Sequence, residues 1–161
     1  MNKKKVIGII DYQAGNISSL KNSIIKIGYN PVLIKKSEEI KNFSKIILPG
    51  VGSFELAIKN LKANKIDIAL DIFKKNKNNK LLGICLGMQL LFENSEETNI
   101  SKKKISGLCF LKGDVSIFSK KKRVMNIGWN NIDSPKKFTL NKEIKNEEKI
   151  FYFVHGYYCK S

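Results

Sequence analysis

The first half of the chain alternates short apolar runs with segments in which apolar residues recur at helical spacing. The apolar runs of strand length occupy residues 6–11, 31–35, 45–48 and 81–84. Because these runs are nearly continuous in apolar character, they predict strands that are buried on both faces of a sheet.

Three helices are predicted between these strands. Asn16 is suited to cap the first, whose apolar face carries Leu20, Ile24 and Ile27 and which Gly28 closes. The apolar face of the second consists of Phe54, Ala57, Ile58 and Leu61, and that of the third, over residues 66–75, of Ile66, Ala69, Leu70 and Phe73. The regular order of strand and helix predicts an α/β fold with a mainly parallel sheet flanked by helices on both faces.

The second half of the chain is more polar and predicts fewer regular elements. The predicted segments are a polar surface segment at 95–104, strands at 108–118 and 123–127 joined by a turn at 119–122, a polar segment at 134–149 and a last strand at 150–155. We interpret residues 1–161 as a single domain that is incomplete at its C-terminal end, because the chain stops just after a strand.

The formal net charge of +16 suggests a nucleic-acid partner at first sight. However, Arg123 is the only arginine, and the lysines are spread over the whole length of the chain. Specific recognition of phosphates and base edges favours arginine forks. We therefore interpret the charge as a solvated lysine-rich surface and predict no nucleic-acid binding.

Neither a membrane segment nor a leader peptide is predicted. No apolar run approaches the roughly 20 residues of a membrane helix, and the stretch after the N-terminal lysines meets Asp11 too early for a signal sequence. Cys85, Cys109 and Cys159 include no C-x-x-C pair and cannot all pair within one chain. These features predict a cytoplasmic location, and we expect no metal and no cofactor.

The strongest chemical signal is the sequence LGICLGMQ at residues 82–89, which takes an apolar strand directly into a helix. Its G-x-C-x-G spacing around Cys85 is that of a nucleophile elbow, in which glycines permit a sharp bend and close packing. A thiol at a helix start is favoured as the thiolate, and the N–H of Leu86 would face a developing oxyanion. The alternative is a buried structural cysteine that happens to lie between glycines.

A second glycine-rich turn, PGVGS at residues 49–53, also follows a strand and precedes a helix. Its backbone N–H groups could bind an anion or supply a second oxyanion donor. The Gly-Lys-Ser/Thr ending of a phosphate loop is absent. A simple Pro-Gly turn is equally compatible with these residues.

His155, the only histidine, ends the last apolar strand. It would be either the general base for Cys85 or a hydrogen-bonded structural group, and the spacing leaves both interpretations open.

Further short stretches accompany these motifs along the chain. The set consists of IDY at 10–12, GN at 15–16, LPGVGSF at 48–54, LGICLGMQLLF at 82–92, SEE at 95–97, GL at 107–108, IGWN at 127–130 and YFVH at 152–155. In this order they resemble the glutaminase subunits of imidazole glycerol phosphate synthase, which are class I glutamine amidotransferases of histidine biosynthesis. The resemblance covers essentially the whole chain and implies a flavodoxin-like α/β domain whose C-terminal elements are missing here.

The resemblance implies that Cys85 attacks the carboxamide of L-glutamine, forms a glutamyl thioester and releases ammonia. Leu86 and Val51 would supply the backbone N–H groups of the oxyanion hole. The implied glutamine-binding residues are Gly50, Gly52, Gln89, Glu97, His155, Gly156 and Tyr157. His155 would act through its backbone, since the family's base and orienting carboxylate lie in a later QFHPEK stretch that this sequence does not contain.

The implied partner is HisF, the (β/α)₈-barrel cyclase subunit of a heterodimer, which uses the ammonia to form imidazole glycerol phosphate and AICAR. The residues implied at this interface are Asp11, Tyr12, Asn16, Trp129, Asn130 and Tyr152. The peptide orientation of Gly50-Val51-Gly52 responds to the partner in the family that the chain resembles.

Several positions depart from the family pattern. Met125-Asn126 stands where Pro-His is common, and Gln13 and Gly156 replace commoner residues. These departures are compatible with a paralogue that supplies ammonia for sugar amidation in surface polysaccharide synthesis. The absent QFHPEK stretch allows another alternative, an inactive truncated glutaminase that only docks on its partner.

Overall fold

The computed structural model describes residues 5–98, 104–118, 125–132 and 149–161. The chain divides into two compact units, residues 1–116 with 159–161 and residues 117–158. The predicted turn at 119–122 lies outside the described residues, as do most of the polar segment at 134–149 and parts of the segments predicted at 95–104 and 123–127.

The first unit is built on a four-stranded parallel sheet in the order β2-β1-β3-β4. The strands are β1 (Val6–Ile10), β2 (Asn30–Ile34), β3 (Lys45–Leu48) and β4 (Lys80–Gly83). Ile47 of β3 pairs with Ile9 on one side and with Leu82 on the other. The four apolar runs thus locate the strands to within one residue, and the predicted parallel α/β sheet is confirmed.

Helices connect these strands in the predicted order. They are α1 (Ile17–Lys26), α2 (Phe54–Ala63), α3 (Ile66–Lys74) and the short α4 (Leu86–Gln89), with a 3₁₀ helix at Ser37–Asn42 that the apolar pattern does not predict. The predicted cap is confirmed, since Asn16 Oδ1 accepts a hydrogen bond from the Ser19 N–H at 3.3 Å. Gly28 follows α1 with φ +81°, a left-handed conformation that ends helices readily.

Both faces of the sheet contribute to the core. On one face, Ile24 of α1 packs with Ile9 and Ile47. On the other face, strand alternation buries Ile10 and Ile46. The predicted apolar face of α2 is buried at all four positions, and that of α3 at Ile66, Leu70 and Phe73.

The prediction that every strand is buried on both faces is wrong for β4. This strand is the last in the order of the sheet. Leu82 within it and Ile84 directly after it are 54% and 38% exposed. Leu82 lies on the same face as Ile47, which α1 covers. Among the described residues, the helical layer on this face therefore covers the sheet only as far as β3.

A small second sheet of the first unit contains β5 (Asn94–Ser95), β6 (Ile105–Ser106) and β7 (Asp114–Ile117). The end of β10 (Tyr157–Lys160), which belongs to the same unit from residue 159, lies beside β7. The predicted strand at 108–118 is wrong before residue 114. The reason is that this segment hydrogen-bonds to the carbonyls that follow α4, as in the 2.8 Å bond from Leu108 N to Leu90 O. Ser95 is fully buried, contrary to the predicted surface segment.

The second unit contains the antiparallel strands β8 (Asn126–Asn131) and β9 (Ile150–His155). The predicted strand at 150–155 is confirmed. Of the one predicted at 123–127, the described part is strand from residue 126, and this strand runs on to residue 131. Trp129 pairs with Tyr152 and Asn126 pairs with His155. One face of this hairpin carries exposed apolar side chains at Ile127, Trp129, Ile150, Tyr152 and Val154.

Candidate active site

Cys85 occupies the turn between β4 and α4 in a backbone conformation that is rare outside glycine, with φ 52° and ψ −117°. The turn is held by hydrogen bonds from Ile84 N to Leu48 O and from Met88 N to Cys85 O, both 3.0 Å long. The Cys85 side chain is exposed, so the alternative of a buried structural cysteine is wrong. A strained backbone that presents an exposed thiol is the arrangement of a nucleophile elbow.

The two glycines of the elbow leave no space for a side chain. A Cβ added at Gly83 would lie 2.5 Å from the Cα of Met88, and one added at Gly87 would overlap the carbonyl oxygen of Leu48. Glycine at both positions therefore lets α4 pack directly against the backbones of β3 and β4, as the G-x-C-x-G spacing predicts.

The helix after Cys85 is too short to support the predicted activation of the thiol strongly. α4 has only four residues, from Leu86 to Gln89. Because the macrodipole grows with the number of aligned peptide units, so short a helix contributes little to the electrostatic potential at Cys85.

A groove of about 260 Å³ opens beside Cys85. Its lining residues are Asn16, Ser19, Leu20, Ser23, Pro49, Gly50, Val51, Ile84 and Cys85. Neither the Leu86 N–H nor the Val51 N–H has an acceptor in the part of the chain that the structure describes. Unpaired backbone donors near a thiol fit an oxyanion hole, and their assignment to that role stays a prediction.

Gln89 and Glu97, two of the predicted glutamine ligands, lie in the same unit as Cys85. Gln89 is buried one helical turn after the nucleophile, and its N–H donates to Cys85 O at 3.1 Å. Glu97 is half-buried, and its carboxylate accepts a hydrogen bond from the N–H of Phe54 at the start of α2. Burial raises the pKa of the Glu97 carboxyl, and this bond opposes the rise.

His155 lies in the second unit with both ring nitrogens hydrogen-bonded. Nδ1 is 2.8 Å from the carbonyl oxygen of Tyr157, which can only accept, so Nδ1 carries the proton. Nε2 is 3.2 Å from Asn126 Nδ2, whose amide is oriented by the bond from Asn130 Nδ2 to Asn126 Oδ1. Nε2 is therefore an acceptor already in use, which supports the structural interpretation of this side chain over the general base.

Asn126 was not among the site residues that the sequence predicts. It contacts His155 only because β8 and β9 pair in the observed register, and no local motif contains that information. The ring also lies against Phe118 and Phe153, with centroids 5.3 and 5.7 Å away. These contacts fix the bend over residues 155–157, which includes Gly156.

We predict that the Nδ1–H tautomer of His155 dominates over the Nε2–H tautomer. Long-range ¹H–¹⁵N NMR resolves it without ambiguity, because His155 is the only histidine. Asn126→Leu removes the donor to Nε2 and should shift the population toward the Nε2–H tautomer, whereas Asn131→Leu on the same strand should not. A dominant Nε2–H tautomer in the unchanged chain would contradict the hydrogen-bond assignment.

The residues predicted to contact a partner have different exposures. Trp129 and Tyr152 are 72% and 55% exposed and meet edge to face, with ring centroids 5.5 Å apart. Asn16 and Asn130 are also exposed, and Asp11 is partly exposed. The Tyr12 side chain, in contrast, is only 1% exposed, so its ring is not part of the surface that this assignment requires.

The structure also bears on metal and membrane binding. Among the described residues there is no group of three or more His, Cys, Asp and Glu side chains that could hold a metal ion. The same part of the chain contains no helix that is long and apolar enough to cross a bilayer.

Comparisons with known proteins point to the glutamine amidotransferases. The family model for class I glutamine amidotransferases matches residues 8–161. The imidazole glycerol phosphate synthase subunit HisH of Caldanaerobacter subterraneus subsp. tengcongensis is 41% identical over 157 residues, which is 95% of this chain and 72% of the relative. The HisH subunit of Methanocaldococcus jannaschii is 43% identical over 154 residues, covering 95% of this chain and 74% of its own length.

Solved structures support the fold alone. A crystal structure of a glutamine amidotransferase superposes with a TM-score of 0.61 at 16% sequence identity, covering 78% of this chain. The match spans 62% of the solved glutamine amidotransferase, which is less than two thirds of its length.

Proposed function

The chain belongs to the class I glutamine amidotransferases, and on that premise we propose that it hydrolyses glutamine through Cys85 and delivers ammonia to a second subunit. The observation that carries this proposal is the exposed thiol of Cys85 in a strained elbow beside the unpaired N–H groups of Leu86 and Val51.

In the first step the sulfur of Cys85 attacks the carboxamide carbon of glutamine. A C–S bond forms, and the carbonyl electrons move to the oxygen. The N–H groups of Leu86 and Val51 stabilise this oxyanion, which is the role for which unpaired backbone donors are suited. The carbonyl then re-forms as the C–N bond breaks, and the nitrogen takes up the proton given up by the Cys85 thiol and leaves as ammonia.

In the second step water hydrolyses the glutamyl thioester, which yields glutamate and the free thiol. We assign no general base among the described residues, because His155 has both ring nitrogens engaged.

The direct test of this proposal is detection of the covalent intermediate. Acid quenching during incubation with L-glutamine and the cyclase subunit, followed by peptide mapping, should show a glutamyl group on Cys85. If the Cys85 peptide stays unmodified at saturating glutamine while iodoacetamide still alkylates it, the proposed reaction is wrong.

Glutamine recognition is proposed to involve Gly50, Gly52, Gln89 and Glu97 of the first unit, and the resemblance also implies His155, Gly156 and Tyr157. Of these, Glu97 supplies a negative charge suited to the α-ammonium group of the substrate. The remaining groups offer mainly backbone and amide hydrogen bonds, which suit the carboxylate and carboxamide of glutamine.

We predict that glutamine affinity falls on acidification because of Glu97. Its carboxyl has a raised pKa, so it takes up a proton at a higher pH than a free glutamate and then loses the charge that attracts the ammonium. Glu97→Gln should weaken binding by about 10-fold and remove this pH dependence. NMR titrations of the Cys85→Ser chain with L-glutamine from pH 4 to pH 8 measure both effects.

Glu96→Gln is the matched control for this experiment, since it removes the neighbouring carboxylate. It should leave the affinity and its pH dependence unchanged. An affinity that is independent of pH in the chain with Glu97 intact would contradict the proposed contact.

The partner is proposed to be HisF, the barrel cyclase subunit of imidazole glycerol phosphate synthase, which uses ammonia to form imidazole glycerol phosphate and AICAR. The relatives are named as subunits of this synthase, which favours the histidine pathway over sugar amidation. Trp129 and Tyr152 form an exposed aromatic pair suited to the centre of such an interface.

The proposed location is the cytoplasm. Cys85, Cys109 and Cys159 are all free thiols in the structure, and the proposed chemistry requires Cys85 to stay reduced.

A further inference from the structure

Tyr12 stands out among the buried polar side chains of the first unit. It follows β1, its side chain is 1% exposed, and its hydroxyl donates a 2.6 Å hydrogen bond to the carbonyl oxygen of Pro49. The backbone of Tyr12 is held as well, because Asn60 Nδ2 of α2 donates to its carbonyl oxygen at 3.1 Å. The phenol is therefore fixed at both its backbone and its hydroxyl.

The hydroxyl of Tyr12 lies beneath the groove next to Cys85. A Cβ added at Gly50 would lie 2.6 Å from this hydroxyl, 2.7 Å from Gly87 N and 2.9 Å from the Leu86 Cβ. The phenol oxygen thus lies close to both backbone segments that contain the candidate oxyanion donors. Burial raises the pKa of Tyr12, and the electrostatic effect of Cys85 adds to the rise, so the hydroxyl stays protonated as a donor.

The bond to Pro49 fixes the direction of one peptide group. Because the carbonyl of Pro49 accepts from Tyr12, the plane of the Pro49–Gly50 peptide cannot turn without breaking a buried hydrogen bond. The next N–H along the chain is that of Val51, which has no acceptor in the described part of the chain. Gly50 and Gly52 flank Val51, so without such a bond this backbone would have wide conformational freedom.

We propose that Tyr12 is a positioning residue that holds the Pro49–Val51 backbone in the orientation in which the Val51 N–H can stabilise the oxyanion. The inference rests on the proposed function, since the oxyanion arises only when Cys85 attacks a carbonyl. Tyr12 itself does not touch the reacting atoms and acts through the carbonyl of Pro49.

The test compares two reactions of Cys85 in the full chain, only one of which forms an oxyanion. Iodoacetamide alkylates the thiol by displacement of iodide without a tetrahedral intermediate. Single-turnover release of p-nitroaniline from γ-glutamyl p-nitroanilide requires attack on a carbonyl, formation of the C–S bond and rupture of the C–N bond. Tyr12→Phe should leave the alkylation rate within about 2-fold and slow the acylation by about 10-fold or more.

Tyr29→Phe is the matched control, because this half-buried tyrosine uses its ring beneath Lys45 and its hydroxyl has no hydrogen bond within the described residues. Both reactions should proceed unchanged in this variant. If Tyr12→Phe slows both reactions equally, or neither, the positioning role is wrong.

A second measurement separates this inference from the proposed function. The carbonyl ¹³C signal of Pro49 and the amide signal of Val51 should shift in Tyr12→Phe and not in Tyr29→Phe, whether or not the chain acylates. Unshifted signals would overturn the inference. Absence of p-nitroaniline release from the unchanged chain, with these shifts present, would instead overturn the proposed function.

Discussion

Replacement of Cys85 by serine is expected to lower glutamyl transfer from γ-glutamyl p-nitroanilide by at least about 10³-fold. The side chain at this position is exposed on a strained turn beside unpaired backbone donors. A serine hydroxyl ionises far less readily than a thiol, and no base among the described residues is assigned to assist it. Single-turnover release of p-nitroaniline, followed by absorbance, measures the effect.

Cys109→Ser provides the matched control, because Cys109 is the other exposed cysteine of the first unit. Its sulfur lies 3.8 Å from the carbonyl oxygens of Glu93 and Gly107, away from any predicted donor pair. Transfer should be unchanged in this variant. Equal loss of activity in both variants, or retention of activity in Cys85→Ser, would show that Cys85 is not the nucleophile.

Gly87→Ala is expected to destabilise the chain by about 3 kcal/mol and to disrupt the elbow. Alanine is favoured over glycine within a helix by about 1 kcal/mol, so propensity alone predicts a stabilising change. The new Cβ would, however, overlap the Leu48 carbonyl oxygen and lie 2.9 Å from that of Pro49. Both contacts are with backbone atoms that cannot move without disturbing β3, so the steric effect outweighs the propensity.

Urea unfolding followed by far-ultraviolet circular dichroism measures this prediction, and the iodoacetamide reactivity of Cys85 reports on the elbow. Gly28→Ala is the control, since a Cβ there would meet nothing within 4 Å. Its φ of +81° leaves only backbone strain, worth about 1–2 kcal/mol, and it should not affect Cys85. An unchanged urea midpoint for Gly87→Ala would contradict the proposed close packing.

Much of the fold could be predicted because local patterns determine it. The strand at 45–48, the Asn16 cap of α1 and the apolar face of α2 all follow from spacing and side-chain type. Predictions failed where distant backbone groups decide the conformation. The apolar content of residues 108–111 predicts a strand. Their N–H groups instead donate hydrogen bonds to the carbonyls of Leu90 and its neighbours.

The candidate site likewise has one part that the sequence predicts and another that it does not. Cys85 and its two glycines are recognisable in eight consecutive residues, because an elbow is a local structure with its own steric requirements. The contact of Tyr12 is not predictable in this way. The resemblance implies only a position at a partner surface, and nothing in the neighbouring residues indicates that the Tyr12 hydroxyl reaches Pro49.

The sequence by itself determined the parallel α/β sheet, the nucleophile elbow and the family, because periodicity, glycine spacing and ordered motifs all act over short stretches of chain. The tertiary structure alone decided which groups surround the thiol and the histidine. Tyr12 meets Pro49 through the pairing of β1 with β3, and Asn126 meets His155 through the register of β8 with β9. Both contacts join residues more than 25 positions apart, and a hydrogen bond across such a separation depends on strand pairing that no local pattern specifies.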